Sequence, residues 1–223
     1  MSHNMSEHPN TSRAFLPEPT LRRLPWYLAY ISMLHSTGVE HVSSTQIAKE
    51  LSVDASQIAK DLSFLNIKGK TRIGYEVAQL ERELQDFLGF KDVHNAIIVG
   101  VGSLGAALVQ DSGLSRYGLN IVAGFDINPE IIGTTLCEVP IYDISYLKEY
   151  RKTHTAEIGI VTVPVERTQE VANLMIEAGI KALWNFTPFR IKANDDIVIQ
   201  DTSIYSHLAV IYNRLDSHKT DKQ

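Results

Sequence analysis

Six residues near the middle of the chain, Gly100-Val101-Gly102-Ser103-Leu104-Gly105, have the spacing G-x-G-x-x-G, in which the backbone does the chemistry. The first glycine permits a tight turn, the second lets the main chain approach a pyrophosphate, and the third allows a helix to pack closely on its strand. Alone the motif is a weak signal, but its context adds a mechanism. The apolar run 96–99 reads as a strand before it, the apolar stretch 104–109 as a helix after it, and Asp126 closes the next apolar run, 120–125. A carboxylate there would accept hydrogen bonds from ribose hydroxyls and repel a 2′-phosphate, and no arginine stands beside it in the sequence. This is the pattern of an NAD(H)-type dinucleotide site, with a helix N-terminus contributing amides and a favourable dipole. The competing explanation for Asp126 is a turn role before Asn128-Pro129.

The segments around this turn alternate strand and helix. Strands are expected at 139–141, 157–161, 182–186 and 197–199, and helices at 144–150 and 165–178, which predicts an α/β domain with a doubly wound parallel sheet. Ligands of such sheets lie beyond the carboxyl ends of the strands, so Thr162-Val163-Pro164 and Asn185-Phe186-Thr187-Pro188 share a rim with the glycine turn and Asp126. A dehydrogenase would also need a substrate domain and a general acid or base near the cofactor. None of His94, His154, His207 and His218 is well placed for that work, and His207 comes nearest, on the last helix. The absence favours a sensor over an enzyme. A small oxidoreductase with a fused regulatory domain is the alternative, and a CoA-binding module is a third reading, against which Asp126 counts.

Upstream, structure is expected from about Thr20, with a first helix over 25–35 and Pro25 in its first turn. Two short helices follow, each with its own capping pattern: Ser43 with Gln46, and Asp54 with Gln57. Ile58, Leu62 and Leu65 face inward on the second, leaving Ser56, Gln57, Ala59, Lys60 and Ser63 outside. This is a helix-turn-helix in outline, with 56–64 as the recognition helix. The segment 67–75 reads as a small hairpin, a wing with Lys68, Lys70 and Arg72 on its tip. Together with Lys60 these form a local basic cluster suited to phosphate contacts. An amphipathic helix through Val77, Leu80, Leu84, Phe87 and Leu88 then ends at Gly89, and the domain boundary is expected near 89–95.

Composition bounds these readings. The chain has 223 residues, 44% of them hydrophobic, and a net charge of −5, so any case for nucleic acid rests on the local patch. No stretch suits a membrane span, and the polar start of the chain is unlike a signal peptide, which together predict a cytoplasmic protein. The single cysteine, Cys137, has no ligand-spaced neighbours, so neither a metal site nor an internal disulfide is expected and a buried or loop position suits it. The apolar positions Tyr205, Leu208, Ile211 and Tyr212 of the last helix fit docking on its own domain or on a partner subunit equally well.

Several colinear motifs carry a resemblance to the Rex family of bacterial redox-sensing transcriptional repressors. They are Arg23-Leu24-Pro25, Val42-Ser43-Ser44, Lys60-Asp61-Leu62-Ser63, Gly74-Tyr75, the glycine turn, Phe125-Asp126, Thr162-Val163-Pro164, and Gly179-Ile180-Lys181 through Asn185-Phe186 and Pro188. The resemblance implies a disordered arm at 1–16, a winged-helix domain at 17–90, a Rossmann-type NAD(H)-binding domain at 91–202, a domain-swapped dimerisation helix at 203–216 and a tail at 217–223. It implies a homodimer that holds operator DNA when NADH is scarce and leaves it when NADH binds. The pyrophosphate falls to Gly100, Val101, Gly102, Ser103, Leu104 and Gly105, the adenosine ribose to Asp126, and the nicotinamide half to Thr162, Val163, Pro164, Asn185 and Phe186. DNA contact falls to Ser43, Ser44, Ser56, Gln57, Lys60 and Ser63, with Lys68, Lys70 and Arg72 on the wing. The chain departs from the family at Ala59, where many members carry arginine, and at Ala29, Asp111 and Ser203, where an arginine, a tyrosine and an aspartate pair differently in the two redox states. Asp111 is also a candidate for discriminating NADH from NAD⁺, by its charge.

Overall fold

The computed structural model describes residues 16–220, with side chains as far as Leu215. Residues 1–15 of the arm expected at 1–16, and the last three tail residues, lie outside the described residues. The chain forms two compact units that divide between Lys91 and Asp92.

The first unit contains α1 (Glu18–Ser36), β1 (His41–Val42), α2 (Ser44–Leu51), α3 (Ala55–Leu62), β2 (Tyr75–Glu76) and α4 (Val77–Leu88). Its core joins Leu24, Tyr27 and Ile31 of α1 to Ile47, Ile58, Leu62, Leu80 and Leu84, and Leu16, expected in the arm, is buried with them. Helix α1 starts earlier than expected, and Pro25 lies inside it rather than in its first turn. The hydrogen bond that Pro25 cannot donate is lost to the carbonyl of Leu21, an exposed residue, where water can replace it. The Ser43–Gln46 capping box forms in full, with Ser43 Oγ accepting from the Gln46 amide at 3.1 Å and Gln46 Oε1 from the Ser43 amide at 2.8 Å. The second box does not form. Asp54 accepts from the Ser56 amide at 2.7 Å, but the Gln57 side chain turns away from the N-terminus toward Asp61.

The segment 67–75 is not a two-stranded hairpin. Only Lys70 and Gly74 pair, through bonds of 2.7 and 2.8 Å, around a three-residue turn in which Arg72 has φ +65°. Tyr75 and Glu76 pair instead with Val42 and His41 of β1. A side chain at Gly74 would stand 2.3 Å from the Val42 carbonyl oxygen, so this glycine is what lets the base of the wing lie against β1.

The second unit contains β3 (His94–Val99), α5 (Ser103–Gln110), α6 (Ser112–Arg116), β4 (Leu119–Asp126), β5 (Thr135–Leu136), β6 (Val139–Asp143), α7 (Leu147–Thr153), β7 (Ile158–Val161), α8 (Thr168–Glu177), β8 (Ala182–Asn185), β9 (Val198–Asp201) and α9 (Ile204–Thr220). Short 3-10 turns precede α7 and α8, so the helix expected over 165–178 becomes α-helical only at Thr168. The strand order is β5-β6-β4-β3-β7-β8-β9, all parallel except β5. That edge strand escaped the sequence reading because it is two residues long and turns through Cys137 and Glu138, both at positive φ and both exposed. Along β3, Ile97 and Val99 face one buried cluster and Ala96 and Ile98 the other, the period-2 alternation of a strand covered on both faces. From β3 the chain builds β4 and β6 to one side, then returns to build β7 and β8 on the other, which places the topological switch at the end of β3.

Helix α9 runs on to Thr220, four residues beyond the expected swapped helix and into what was read as tail. Each of its side chains from Ile204 to Leu215 is exposed. Among the described residues no helix is long and apolar enough to cross a membrane, and no cluster of metal-ligating side chains occurs.

Candidate dinucleotide and DNA sites

Register brings four strand ends to one level: Val99 lies beside Phe125 and Val161, and Val161 beside Asn185. The glycine turn leaves β3 at Gly100, whose φ of +92° and contact with the Thr162 backbone, 2.7 Å from an added Cβ, exclude a side chain. Gly105 is closer still, since its Cβ would stand 2.0 Å from the Gly100 carbonyl oxygen. The Thr162 hydroxyl, 2.7 Å from that same oxygen and 3.1 Å from the Val99 carbonyl, locks turn and strand together. Thr162 was expected to face the nicotinamide; its hydroxyl proton serves the turn instead. A Cβ on Gly102, by contrast, would meet nothing within 4 Å. Gly102 caps α5 without a side-chain bond, so the first amides of that helix, at Ser103 and Leu104, lack intrahelical partners and face an open cradle. That arrangement fits a pyrophosphate.

Asp126 ends β4 beside this cradle. Its Oδ2 accepts from the Val101 amide at 2.6 Å, and Oδ1 from the amides of Ile127 and Asn128 at 2.7 and 2.9 Å. The carboxylate therefore takes the turn role weighed from sequence and also holds the glycine turn, with acceptor capacity remaining for a hydroxyl. A cleft of about 490 Å³ opens here, walled by Val99, Ile127, Ile144, Val163, Pro164 and Val171. An apolar slot beside a ribose-accepting carboxylate suits a nucleoside base. Val163 and Pro164, expected near the nicotinamide half, line the same cleft as Asp126. Arg167 also lines the cleft and pairs with Glu170 at 2.8 Å, a cation that the local sequence around Asp126 did not reveal.

Asn185 is fully buried and its amide is engaged at both ends. It donates to the Phe189 carbonyl at 2.7 Å and to Asp201 at 2.8 Å, and accepts from the Thr187 amide and hydroxyl. It shapes the loop after β8. Phe186 is half-buried against Trp184, ring centroids 4.6 Å apart. Asp111 stands at the far end of α5 from the glycine turn and caps α6, so within its own unit it is remote from the dinucleotide rim.

In the first unit, Ser56, Ala59, Lys60 and Ser63 are exposed at i, i+3, i+4 and i+7 and form one stripe of α3. The Ser56 and Ser63 hydroxyl protons bond locally, to Asp54 and to the Lys60 carbonyl. Ser43 is committed to its capping box, and Ser44 is half-buried at the start of α2. Lys60, Lys68, Lys70 and Arg72 are exposed and pair with no carboxylate among the described residues, which leaves four cations for phosphate.

Beneath the stripe lies Asp61, to which the sequence reading gave no role. It is fully buried and accepts from Arg23 Nε and Nη2 at 2.7 and 2.8 Å, Tyr27 OH at 2.7 Å, Gln57 Nε2 at 2.8 Å and Thr20 Oγ1 at 3.0 Å. Burial alone would raise the Asp61 pKa, but these donors outweigh it and hold it at about 2. Burial and the adjacent carboxylate push the Tyr27 phenol up to about 12, and the hydrogen bond to Asp61 raises Arg23 further above its ordinary value. No local signal marks a bond between residues 38 apart. The clue available was that Gln57 and Asp61 stand one turn apart on the same helix.

A DNA-binding module and a nucleotide-binding module on one chain define a class. The family model for a putative DNA-binding protein N-terminus matches residues 16–63, and that for a CoA binding domain matches residues 91–189. The redox-sensing transcriptional repressor Rex of Bacteroides fragilis is 52% identical over 218 residues, covering 98% of each chain. Among solved structures, RSP in complex with β-NAD⁺ and operator DNA is similar at a TM-score of 0.88 and 31% identity, over 94% of this chain and 96% of that one. RSP in complex with β-NADH gives a TM-score of 0.84 over 94% and 98%. The chain belongs to the Rex family of redox-sensing transcriptional repressors.

Proposed function

We propose that the chain is a cytoplasmic, NADH-responsive repressor without catalytic activity. It binds operator DNA through α3 and the wing, and NAD(H) at the rim of the second unit. The observation that carries this reading is the Gly102 cradle, open above α5 and flanked by Asp126 and an apolar slot. The first amides of α5 receive the pyrophosphate, Asp126 the adenosine ribose, and the slot through Val163 and Pro164 the base. The nicotinamide half then extends toward the loop that Asn185 shapes, near Phe186. NADH supplies no chemistry here; it is a ligand whose binding energy is set against that of DNA. Lys60 on α3 and Lys68, Lys70 and Arg72 on the wing engage phosphates, and the exposed stripe of α3 through Ala59 faces the groove. The exposed α9, with Tyr205, Leu208, Ile211 and Tyr212, docks on a second copy of the chain, as the resemblance implies.

Linkage makes the two ligands reciprocal: the factor by which NADH weakens DNA binding equals the factor by which DNA weakens NADH binding. The test measures operator affinity by fluorescence anisotropy, without ligand, with NADH and with NAD⁺. Weaker binding with NADH, a smaller effect of NAD⁺, and loss of the NADH effect in Asp126→Ala with ligand-free DNA affinity intact are expected. Equal retention on DNA at saturating NADH would sink the reading.

A further inference from the structure

Gln57 shares its helix with the exposed stripe of Ser56, Ala59, Lys60 and Ser63 but not its direction. Its amide nitrogen donates to Asp61 one turn along, at 2.8 Å, and the side chain is half-buried. Asp61 is in turn held from α1 by Arg23, Tyr27 and Thr20. We propose that Gln57 is a positioning residue of the DNA interface and not a base reader: it completes the donor set of Asp61, the carboxylate that ties α3 to α1, and so helps hold the rotation of α3 about its own axis. That rotation decides which way Ala59 and Lys60 face the groove. The inference rests on the DNA-binding reading and assigns different work to one residue within it.

A base reader and a positioning residue leave different marks. Losing a reader relaxes preference at one base pair, by about tenfold or more, whereas losing a positioning residue weakens every sequence alike. The full chain would first select a DNA sequence from a random pool. Gln57→Ala and Gln57→Glu would then be titrated against that sequence and against each of its single-base replacements, at several salt concentrations. Stoichiometric titration fixes the active fraction, so that partial unfolding does not pass for weaker binding. Both variants are expected to bind every member about fivefold more weakly, the scale of one net hydrogen bond. The Glu variant, which sets a carboxylate against Asp61, should lose at least as much. The rank order of sequences and the salt slope should stay as in the wild type, because no base or phosphate contact is removed. A changed preference at a single base pair, or wild-type affinity in both variants, overturns the proposal. If the wild type selects no sequence, the DNA-binding reading fails and this one with it.

Discussion

Replacing Asp61 by asparagine should unsettle the first unit and leave the second untouched. The carboxylate takes five hydrogen bonds, two of them from a guanidinium whose side chain is only 24% exposed. Asparagine keeps one acceptor oxygen and sets an NH2 against N–H and O–H donors. Breaking one side of a buried ion pair costs about 3–5 kcal/mol. Because Arg23 can partly reach water, the lower end, about 3 kcal/mol, is the expected loss. Against a domain stability of about 5–15 kcal/mol that is a large fraction. The pH dependence gives a second reading of the same charge. A carboxyl depressed from 3.8 to about 2 adds about 2 kcal/mol of stability, fully present above pH 4 and lost as pH falls toward 2. Hydrogen exchange followed by peptide mass spectrometry in urea resolves the two units. It should show α1 and α3 losing protection in the variant while β3 and β7 keep theirs, and the first unit of the wild type should weaken more than that of the variant between pH 4 and 2, since Asp54, also held below its ordinary value, titrates in both. A loss below about 1 kcal/mol, or an equal loss in both units, would refute the account of Asp61 as a buried, charge-paired hub.

The glycine turn gives a contrasting pair. Gly105→Ala, with its methyl 2.0 Å from a backbone oxygen, should lower the stability of the second unit by about 1–3 kcal/mol and abolish saturable NADH fluorescence. Gly102→Ala, with open space around its methyl, should melt within a degree or so of the wild type yet bind NADH more weakly, because the methyl enters the ligand's space. Wild-type NADH affinity in Gly102→Ala would show that the open cradle is not where the ligand lies. Deleting α9 should leave the fold of the second unit intact by circular dichroism, since none of the side chains from Ile204 to Leu215 is buried within the chain, and should give a monomer by sedimentation. A dimer that survives the deletion would place the interface elsewhere.

What the sequence made legible was local. Glycine spacing, the Ser43–Gln46 box and the apolar run of β3 each follow from neighbours a few residues apart, and each took the expected form. What stayed hidden involves residues that meet only after folding. The Asp61 cluster joins positions 34 to 41 apart, and the base of the wing pairs with β1, more than 30 residues earlier in the chain. The site shows the same divide. The backbone groups of the rim could be placed from spacing, while the side chains of Thr162 and Asn185 face inward to hold loops, with partners that include Val99 on β3 and Asp201 on β9. Pro25 misled for another reason: a helix tolerates proline where water can take over the orphaned carbonyl, and exposure is a tertiary property.

The bond between Asp126 and the Val101 amide also bears on time. A loop that must fold around its ligand delays each encounter by its own ordering step, and its response slows accordingly. Here the turn is held before any ligand arrives, by a carboxylate on one flank and the Thr162 hydroxyl on the other. Encounter then needs no rearrangement of the phosphate cradle, and the interval over which the protein remembers a passing rise in its ligand is set by the residence time of the dinucleotide and not by the ordering of this turn.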